Sequence, residues 1–357
     1  MTSIAARRLH AQRLTGKPFA SPVDAVQALT AVQSQDYGGG KWALGLRTRG
    51  VTEAVVDHLF DEGAILRTHV LRPTWHFVLP EDISWLLDLS GPRIILGLAG
   101  RHRELELDAR AIARAGAAFA EALAGGHHLT RPELGEVLRE KRISPEGQRL
   151  PHLLMHAELE GLITSGARRG KLHTFALLEE RAPKARRLER DEAVAELTLR
   201  YFKSHGPAQL QDFAWWSGLT LADARKGIAV AGKALEHEAA HGKEYWFDAD
   251  AGRARDAAGV AHLLPNYDEY TVAYRDRRDL MYDGRLQDPF FVLSNIVTLG
   301  GQIRGGWRRT PIRNGMHVDI IALDRFDPAE TAAIETAGRR FGRYLERPVH
   351  LSLLSAG

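Results

Sequence analysis

The sequence predicts an α+β protein in which three tandem units of similar layout precede a C-terminal part rich in strands. Two observations predict this fold class. A run of helices followed by a charged hairpin recurs three times, and after Gly259 the pattern changes to short apolar strands. The predicted units are 1–80, 81–182 and 183–258, and the predicted C-terminal α+β unit is 259–357.

The middle unit shows the layout most clearly. Its first helix ends at Gly125-Gly126, and Thr130-Arg131-Pro132-Glu133 has the form of a capping box with proline in the first turn. The predicted helices are 109–123, 130–138 and 146–160. A hairpin follows over 162–178 and carries a basic tip. A short helix, a second helix and a basic hairpin are the parts of a winged helix, which binds DNA.

The other two units repeat these parts. In the N-terminal unit we expect helices 4–14, 22–33 and 52–62 and a hairpin over 65–79. In the third unit we expect helices 193–203, 208–216 and 220–235 and a hairpin over 236–248, whose weak basic charge favours a structural role. In the last unit we expect strands 290–299, 302–309, 317–323 and 349–354 and a helix over 328–345. We expect the three winged helices to form a concave DNA-binding scaffold with the last unit against it.

Composition narrows the class of protein. The 357 residues are 44% hydrophobic, which is typical of globular chains. The lack of cysteine excludes disulfides, thiolate zinc sites and cysteine nucleophiles, and fits a reducing compartment. With no recognisable signal peptide or membrane-spanning apolar run, we expect a soluble, cytoplasmic protein.

The net charge is +3 and the pI about 9.1, and arginine supplies most of the positive charge. Arginine matches phosphate well, but codon bias explains this composition equally.

One short motif attracts attention as a catalytic candidate. The sequence has no Walker loop, nucleophile elbow, HExxH or convincing Rossmann fingerprint, and we expect neither a cofactor nor a metal. Gln33 and Gln35 lie two residues apart before the glycines 38–40. On a regular helix their side chains would point about 200° apart. If the helix unwinds at Ser34, both amides could converge beside a glycine-rich loop. From residue chemistry alone, two surface glutamines at a helix end explain the motif better.

Four segments together resemble the AlkZ-like DNA glycosylases. Gln33-Ser34-Gln35 is similar to the family's Gln-x-Gln motif, and 72–78 resembles its Arg-Gly-Thr-Leu-His hairpin. The segments 263–277 and 301–309 resemble its Leu-Leu-Pro…Tyr-Arg-Asp-Arg and Gly-x-x-x-Gly-x-Trp-Arg sequences. The resemblance covers about 4–354. The sequence departs from the family pattern at two places. Pro73 stands where the family has glycine, and the stretch 38–42 is less typical, so the resemblance does not determine the substrate.

The resemblance implies a monofunctional DNA glycosylase that hydrolyses the N-glycosidic bond of N7-alkylguanine-type bases, including bulky or crosslinked ones. Its partner would be duplex DNA carrying alkylated bases, and the protein would act as a monomer. Gln33 and Gln35 would be catalytic. Asp36 is either an additional carboxylate that activates water or an ordinary loop residue. The candidate DNA-binding residues are Arg72, Thr74, His76, Arg168, Arg169, Lys171, Arg275, Arg277, Arg304, Arg308 and Arg309.

Two other functions remain open at this point. A non-catalytic winged-helix transcriptional regulator would use the same scaffold to bind an operator sequence. A metal-dependent nuclease could be built around Asp268, Glu269 and Asp276. Arg275 and Arg277 could also pair with Asp276 and Asp279 instead of contacting DNA.

Overall fold

The computed structural model describes residues 3–252, 254, 257–282 and 293–355. They form two compact units. Unit 1 comprises the described residues of 1–57 and 195–357, and unit 2 those of 58–194. Helices and strands alternate through both units, so the α+β class is confirmed. The division into three winged helices and a C-terminal unit stays a prediction.

The described secondary structure runs along the chain as follows. The helices are α1 (Ile4–Ala11), α2 (Pro22–Leu29), α3 (Tyr37–Arg47), α4 (Glu53–Glu62), α5 (Ile83–Glu104), α6 (Ala109–Leu123), α7 (Arg131–Glu140), α8 (Arg149–Leu159), α9 (Leu178–Arg181), α10 (Arg190–His205), α11 (Leu210–Ser217), α12 (Leu221–Ala231), α13 (Glu269–Val272) and α14 (Pro328–Leu345). The strands are β1 (Val32–Gln33), β2 (Leu66–His69), β3 (Trp75–Val78), β4 (Leu129–Thr130), β5 (Ile163–Ser165), β6 (Thr174–Leu177), β7 (Leu235–Ala240), β8 (Lys243–Asp248), β9 (Ala261–Leu264), β10 (Ile296–Leu299), β11 (Gln302–Ile312), β12 (Gly315–Ala322) and β13 (Val349–Ser355).

A five-stranded sheet with the order β13-β12-β11-β10-β9 is the framework of unit 1. Its pairs are antiparallel except β12–β13, which is parallel because α14 provides the crossover. The buried Trp307 donates its indole N–H to the carbonyl of Leu264, and Trp42 of α3 donates likewise to Leu263, each at 2.7 Å. Both rings pack against Phe341 of α14. These contacts tie α3 and α14 to the end of β9.

Unit 2 contains the parts predicted for the middle winged helix. The helices α6, α7 and α8 enclose a core that includes Phe119, Leu134 and Leu153. A three-stranded sheet of order β4-β6-β5 contacts these helices, with β4 between α6 and α7 in the sequence and β5 and β6 after α8. The capping box at Thr130 is confirmed, since its hydroxyl and the Glu133 carboxylate bond each other's backbone N–H groups. Helix α5 packs on α8 at Gly91, where a Cβ atom would lie 2.5 Å from the Leu159 carbonyl oxygen.

Two expectations around the glutamine motif are wrong. Helix α2 ends at Leu29 and not at Gln33, because Thr30 has a positive φ of 70° and the chain turns into β1. The glycines 38–40 are not a loop but the first turn of α3. Their lack of side chains admits neighbouring groups to the helix, which a sequence pattern cannot reveal.

Other differences lie at the ends of elements. In the predicted strand 290–299, residues 290–292 lie outside the described residues, and β10 begins only at Ile296. The 22-residue helix α5 has no counterpart among the predicted elements; it holds Pro92 in its interior, a residue that ordinarily breaks helices. Within the described chain, no helix combines the length and apolar character needed to cross a bilayer.

A buried ion pair in unit 1 should be costly to break. Both guanidinium nitrogens Nη1 and Nη2 of Arg47 contact the carboxylate of Asp268, at 2.9 and 2.8 Å, and both side chains are fully buried. The substitution Asp268→Asn leaves the Arg47 charge without a counterion. We expect the free energy of unfolding to fall by about 3–5 kcal/mol, measured by urea denaturation. As the control, Glu335→Gln breaks the exposed pair with Arg339 and should change stability little; equal effects of the two substitutions would contradict the expectation.

A buried histidine should make stability depend on acid pH. Burial lowers the pKa of His262 to about 4, and its Nε2 lies 2.9 Å from the Leu14 carbonyl oxygen. As pH falls from about 6.5 towards 4, the unfolded chain binds a proton that the folded chain does not, so stability falls, by at most about 3 kcal/mol. His262→Gln can keep the hydrogen bond but does not titrate. Unfolding curves at several pH values should therefore show a shallower acid loss for this variant than for the wild type, and parallel curves would reject the assignment.

Candidate active site

The three residues of the glutamine motif lie in different environments. Gln33 is in β1 and only 6% exposed, whereas Gln35 is exposed in the turn that follows. Asp36 is the residue before α3, and its side chain makes no hydrogen bond to the helix. The motif thus crosses from a buried strand to the surface within four residues.

The backbone of the motif is held by a buried carboxylate. The N–H of Gln33 donates to Oε1 of Glu269 at 2.8 Å. The other oxygen, Oε2, accepts the indole N–H of Trp216 at 2.9 Å and lies 3.5 Å from Nε2 of His205. Glu269 is fully buried at the start of α13. Its role was missed from the sequence, which offered Glu269 only as a metal ligand.

The side chain of Gln33 turns back over the motif. Its Oε1 accepts the backbone N–H of Gln35 at 3.2 Å, which leaves one lone pair of that oxygen. Among the described residues, the Gln33 amide nitrogen has no hydrogen-bond partner. The two motif residues are therefore linked through the backbone of Gln35, and the Gln33 amide keeps donors and an acceptor for another molecule.

Three polar side chains meet at the first turn of α3. A Cβ atom on Gly39 would lie 3.0 Å from both Asn266 Oδ1 and Asp36 Oδ2, and one on Gly38 would lie 3.0 Å from Nη2 of Arg309. Asn266 Oδ1 is buried and has no hydrogen-bond partner in the part of the chain that the structure describes. The glycines therefore allow a carboxylate, an amide and a guanidinium to approach the helix beside the motif.

The nearby lysine is neutralised by carboxylates. Lys41 Nζ lies 2.7 Å from Asp57 Oδ1 and 2.9 Å from Glu53 Oε1, and the Lys41 side chain is 6% exposed. The hydroxyl of Tyr37 donates to the same Asp57 oxygen at 3.0 Å. This amine is thus held in an ion-paired cluster on α3.

The arginines of the β11–β12 hairpin differ strongly. Arg304 is buried and its guanidinium pairs with Glu330 of α14. Arg308 is 65% exposed but contacts Asp319 at 2.7 Å. Arg309 is half-buried and approaches α3, as described above. Trp307, which precedes Arg308 in β11, is buried.

The carboxylates considered for a nuclease do not share a site. Asp268 contacts Arg47, Glu269 holds Gln33, and Asp276 pairs with Lys243 and Arg278. The hydrogen bond from Arg278 lowers the pKa of Asp276 well below its usual range. No group of three potential metal ligands occurs within the described ranges.

Arg275 and Arg277 do not form the ion pairs considered as an alternative. Arg275 is exposed and only its backbone N–H is bonded, to Asp212, while Arg277 Nε donates to the Thr271 carbonyl at 2.9 Å. Asp276 is occupied by Lys243 and Arg278, and Asp279 lies 3.6 Å from Arg8.

Two arginines of the basic hairpin in unit 2 are already paired. Arg168 binds both carboxylate oxygens of Asp61, at 3.0 and 2.8 Å. Arg169 contacts Glu133, and its hydrogen bonds lower the pKa of that carboxyl to about 2. Lys171 is exposed, with no acidic partner in the described chain.

The other candidates in unit 2 lie in the β2–β3 hairpin. Arg72 and Thr74 are in the connection between the strands, and both are half-buried. His76 is buried in β3, with Nδ1 2.9 Å from the Thr74 carbonyl oxygen. His76 is thus linked to the backbone of its own hairpin.

Comparisons with known proteins agree with the resemblance. The family model described as DNA glycosylase AlkZ-like matches residues 26–344. Among solved structures, the Streptomyces sahachiroi DNA glycosylase AlkZ matches with a TM-score of 0.77 and 20% sequence identity, covering 98% of each chain. No curated protein sequence gives a significant match. The match to the family model spans most of the chain, so this protein belongs to the AlkZ-like family of DNA glycosylases.

Proposed function

We propose that the protein is a monofunctional glycosylase that hydrolyses the N-glycosidic bond of N7-alkylguanine-type bases in duplex DNA. The observation that carries this proposal is the hydrogen bond that the backbone N–H of Gln33 donates to the buried Glu269 carboxylate. It fixes the motif strand, while the Gln33 amide keeps hydrogen-bonding capacity. A site that acts on a transition state needs such preorganised polar groups.

A neutral amide suits this substrate class. An N7-alkylated purine is positively charged and therefore leaves without prior protonation. The remaining tasks are to stabilise an oxocarbenium-like sugar and to place a water molecule. The carbonyl dipole of a glutamine can face the developing positive charge and accept a hydrogen bond from that water.

Asp36 and Arg309 extend the site beside the motif. The Asp36 carboxylate lies at the first turn of α3, where it can accept a proton from the attacking water. Arg309, on the same side of α3, has no acidic partner in the described chain and can neutralise a DNA phosphate next to the lesion.

The environment of Lys41 supports hydrolysis without strand cleavage. A Schiff base requires a neutral amine with access to the sugar carbon. The Lys41 amine contacts two carboxylates and its side chain is buried, so the amine is engaged in ion pairs and has little access to a sugar carbon. Water is then the nucleophile, and the expected product is an intact strand with an abasic site.

We propose that the winged-helix units contact the DNA and that the cations without acidic partners bind its phosphates. Lys171, Arg275 and Arg309 have no such partner within the described ranges. Arg168, Arg169, Arg304 and Arg308 are ion-paired, so they would contact phosphate only by exchanging a carboxylate for it. Contacts by Arg72, Thr74, His76 and Arg277 remain predictions.

Removing either motif amide should abolish base release without loss of DNA binding. In Gln33→Ala and Gln35→Ala we expect the rate of base release from an N7-methylguanine duplex to fall by about 100-fold or more, as for loss of one preorganised polar group. Alkaline cleavage of end-labelled duplex under single-turnover conditions measures the rate. A filter-binding titration should give nearly unchanged affinity.

The matched control is Gln211→Ala, which removes an exposed glutamine from α11 and should leave the rate unchanged. Intact strands after incubation of the wild type with several N7 adducts would overturn the proposed substrate. Sequence-specific binding without base release would favour the regulator.

Glu269 should act as a positioning residue. Glu269→Ala removes the acceptor of two buried N–H groups and should cost about 1–3 kcal/mol for each unsatisfied donor. Glu269→Gln keeps one oxygen that can accept from Gln33. At a temperature where both variants are fully folded, we expect kcat to fall strongly in the alanine variant and recover partly in the glutamine variant, with KM for DNA little changed. If both variants lose stability but keep the wild-type kcat, Glu269 has a structural role only.

A further inference from the structure

Unit 1 contains a cavity of about 400 Å³ at the carboxyl end of α3, which we call the cationic pocket. Four arginines line it, and Trp42 and Leu14 contribute apolar wall. The arginines are Arg13, Arg49, Arg340 and Arg343. Within the described part of the chain, no acidic side chain lines the pocket.

The four pocket arginines lack the carboxylate partners that several other arginines of unit 1 have. Arg47 and Arg304 each contact a carboxylate, and Arg7 pairs with Glu238. None of the four pocket arginines has an acidic partner among the described residues. A larger cavity of about 930 Å³ beside Arg7 differs, because it is also lined by carboxylates such as Asp248.

Arg340 is fixed in place by the backbone. Its Nη2 donates to the carbonyl of Leu46 in the last turn of α3. Burial lowers the pKa of Arg340, and the charges of Arg343 and Arg47 lower it further. Guanidinium groups this close repel one another. A bound anion would reduce this electrostatic repulsion, which otherwise destabilises the folded protein.

We propose that the cationic pocket binds a phosphorylated small molecule of nucleotide size. Planar guanidinium groups match phosphate oxygens in pairs, and several arginines can bind a polyphosphate together. The volume is within the range of small-molecule sites, which is about 300–1,000 Å³. The apolar side formed by Leu14, Pro18 and Trp42 can contact an uncharged part such as a base or sugar.

Calorimetric titration of the full chain with inorganic phosphate, pyrophosphate, ATP and adenosine tests this proposal. We expect affinity to rise from phosphate to pyrophosphate and ATP, with no binding of adenosine. The double substitution Arg49→Gln and Arg343→Gln changes two exposed side chains without an acidic partner in the described chain, so the fold should persist. It should raise the Kd for ATP about tenfold or more. A tenfold change in Kd corresponds to roughly 1.4 kcal/mol of binding free energy. The matched control is Arg225→Gln on α12, also exposed, which should bind ATP as the wild type does.

The same variants separate a free phosphate from a DNA phosphate. We expect the double variant to keep wild-type affinity for undamaged duplex DNA and wild-type base release. If the wild type binds neither pyrophosphate nor ATP at millimolar concentrations, the proposal is rejected. Weaker duplex binding in the double variant, without binding of free phosphates by the wild type, would make the pocket part of the DNA-binding surface and would also overturn it.

Discussion

The hydrogen bonds of the buried Glu269 carboxylate are the constraint on which the candidate site depends. A buried carboxylate is costly unless donors satisfy it, and here the donors are the Gln33 backbone and the Trp216 indole. The Gln33 N–H donates to Glu269 and not to a helical carbonyl, in agreement with the end of α2 at Leu29, before the motif. The turn that follows brings Gln35 to the surface and places Asp36 at the start of α3. One interaction between residues 236 positions apart thus sets the path of the whole motif.

Ion pairing with carboxylates decides which arginines of this chain, whose pI is near 9.1, can attract phosphate. Four of the eight arginines singled out from the sequence prove to be partners of carboxylates: Arg168 of Asp61, Arg169 of Glu133, Arg304 of Glu330 and Arg308 of Asp319. Among the candidate DNA-binding residues, Lys171, Arg275 and Arg309 have no such partner within the described ranges. Attraction to phosphate falls when a carboxylate already neutralises a guanidinium, so pairing and not arginine content decides which surfaces attract DNA. Sequence position cannot show this, because Asp61 and Arg168 are 107 residues apart.

The parts of the fold that could be predicted are those with local causes. The capping box at Thr130 identified a real helix start, and the helices 109–123 and 328–345 were predicted with their observed bounds. The failures have distant causes. The glycines 38–40 suggest a loop by themselves, yet they form the first turn of α3, and their lack of side chains allows Asn266 and Arg309 to approach the helix there. The Gln-x-Gln motif could be found from the sequence through the family resemblance, whereas its anchor on Glu269 and the meeting of Asp36, Asn266 and Arg309 required the structure.

The contrast between Gln33 and Glu269 indicates why the motif uses amides. The Gln33 side chain is almost fully buried and lies in the strand whose backbone already contacts a carboxylate. A carboxylate at position 33 would be desolvated near a second negative charge, and its pKa would rise until it was neutral. A glutamine avoids that cost and keeps a carbonyl dipole that does not depend on protonation. Such a dipole stabilises a developing positive charge less than a carboxylate would. A substrate whose leaving group is already cationic needs less stabilisation, so under the proposed function the neutral amides of the motif suit alkylated bases better than unmodified ones.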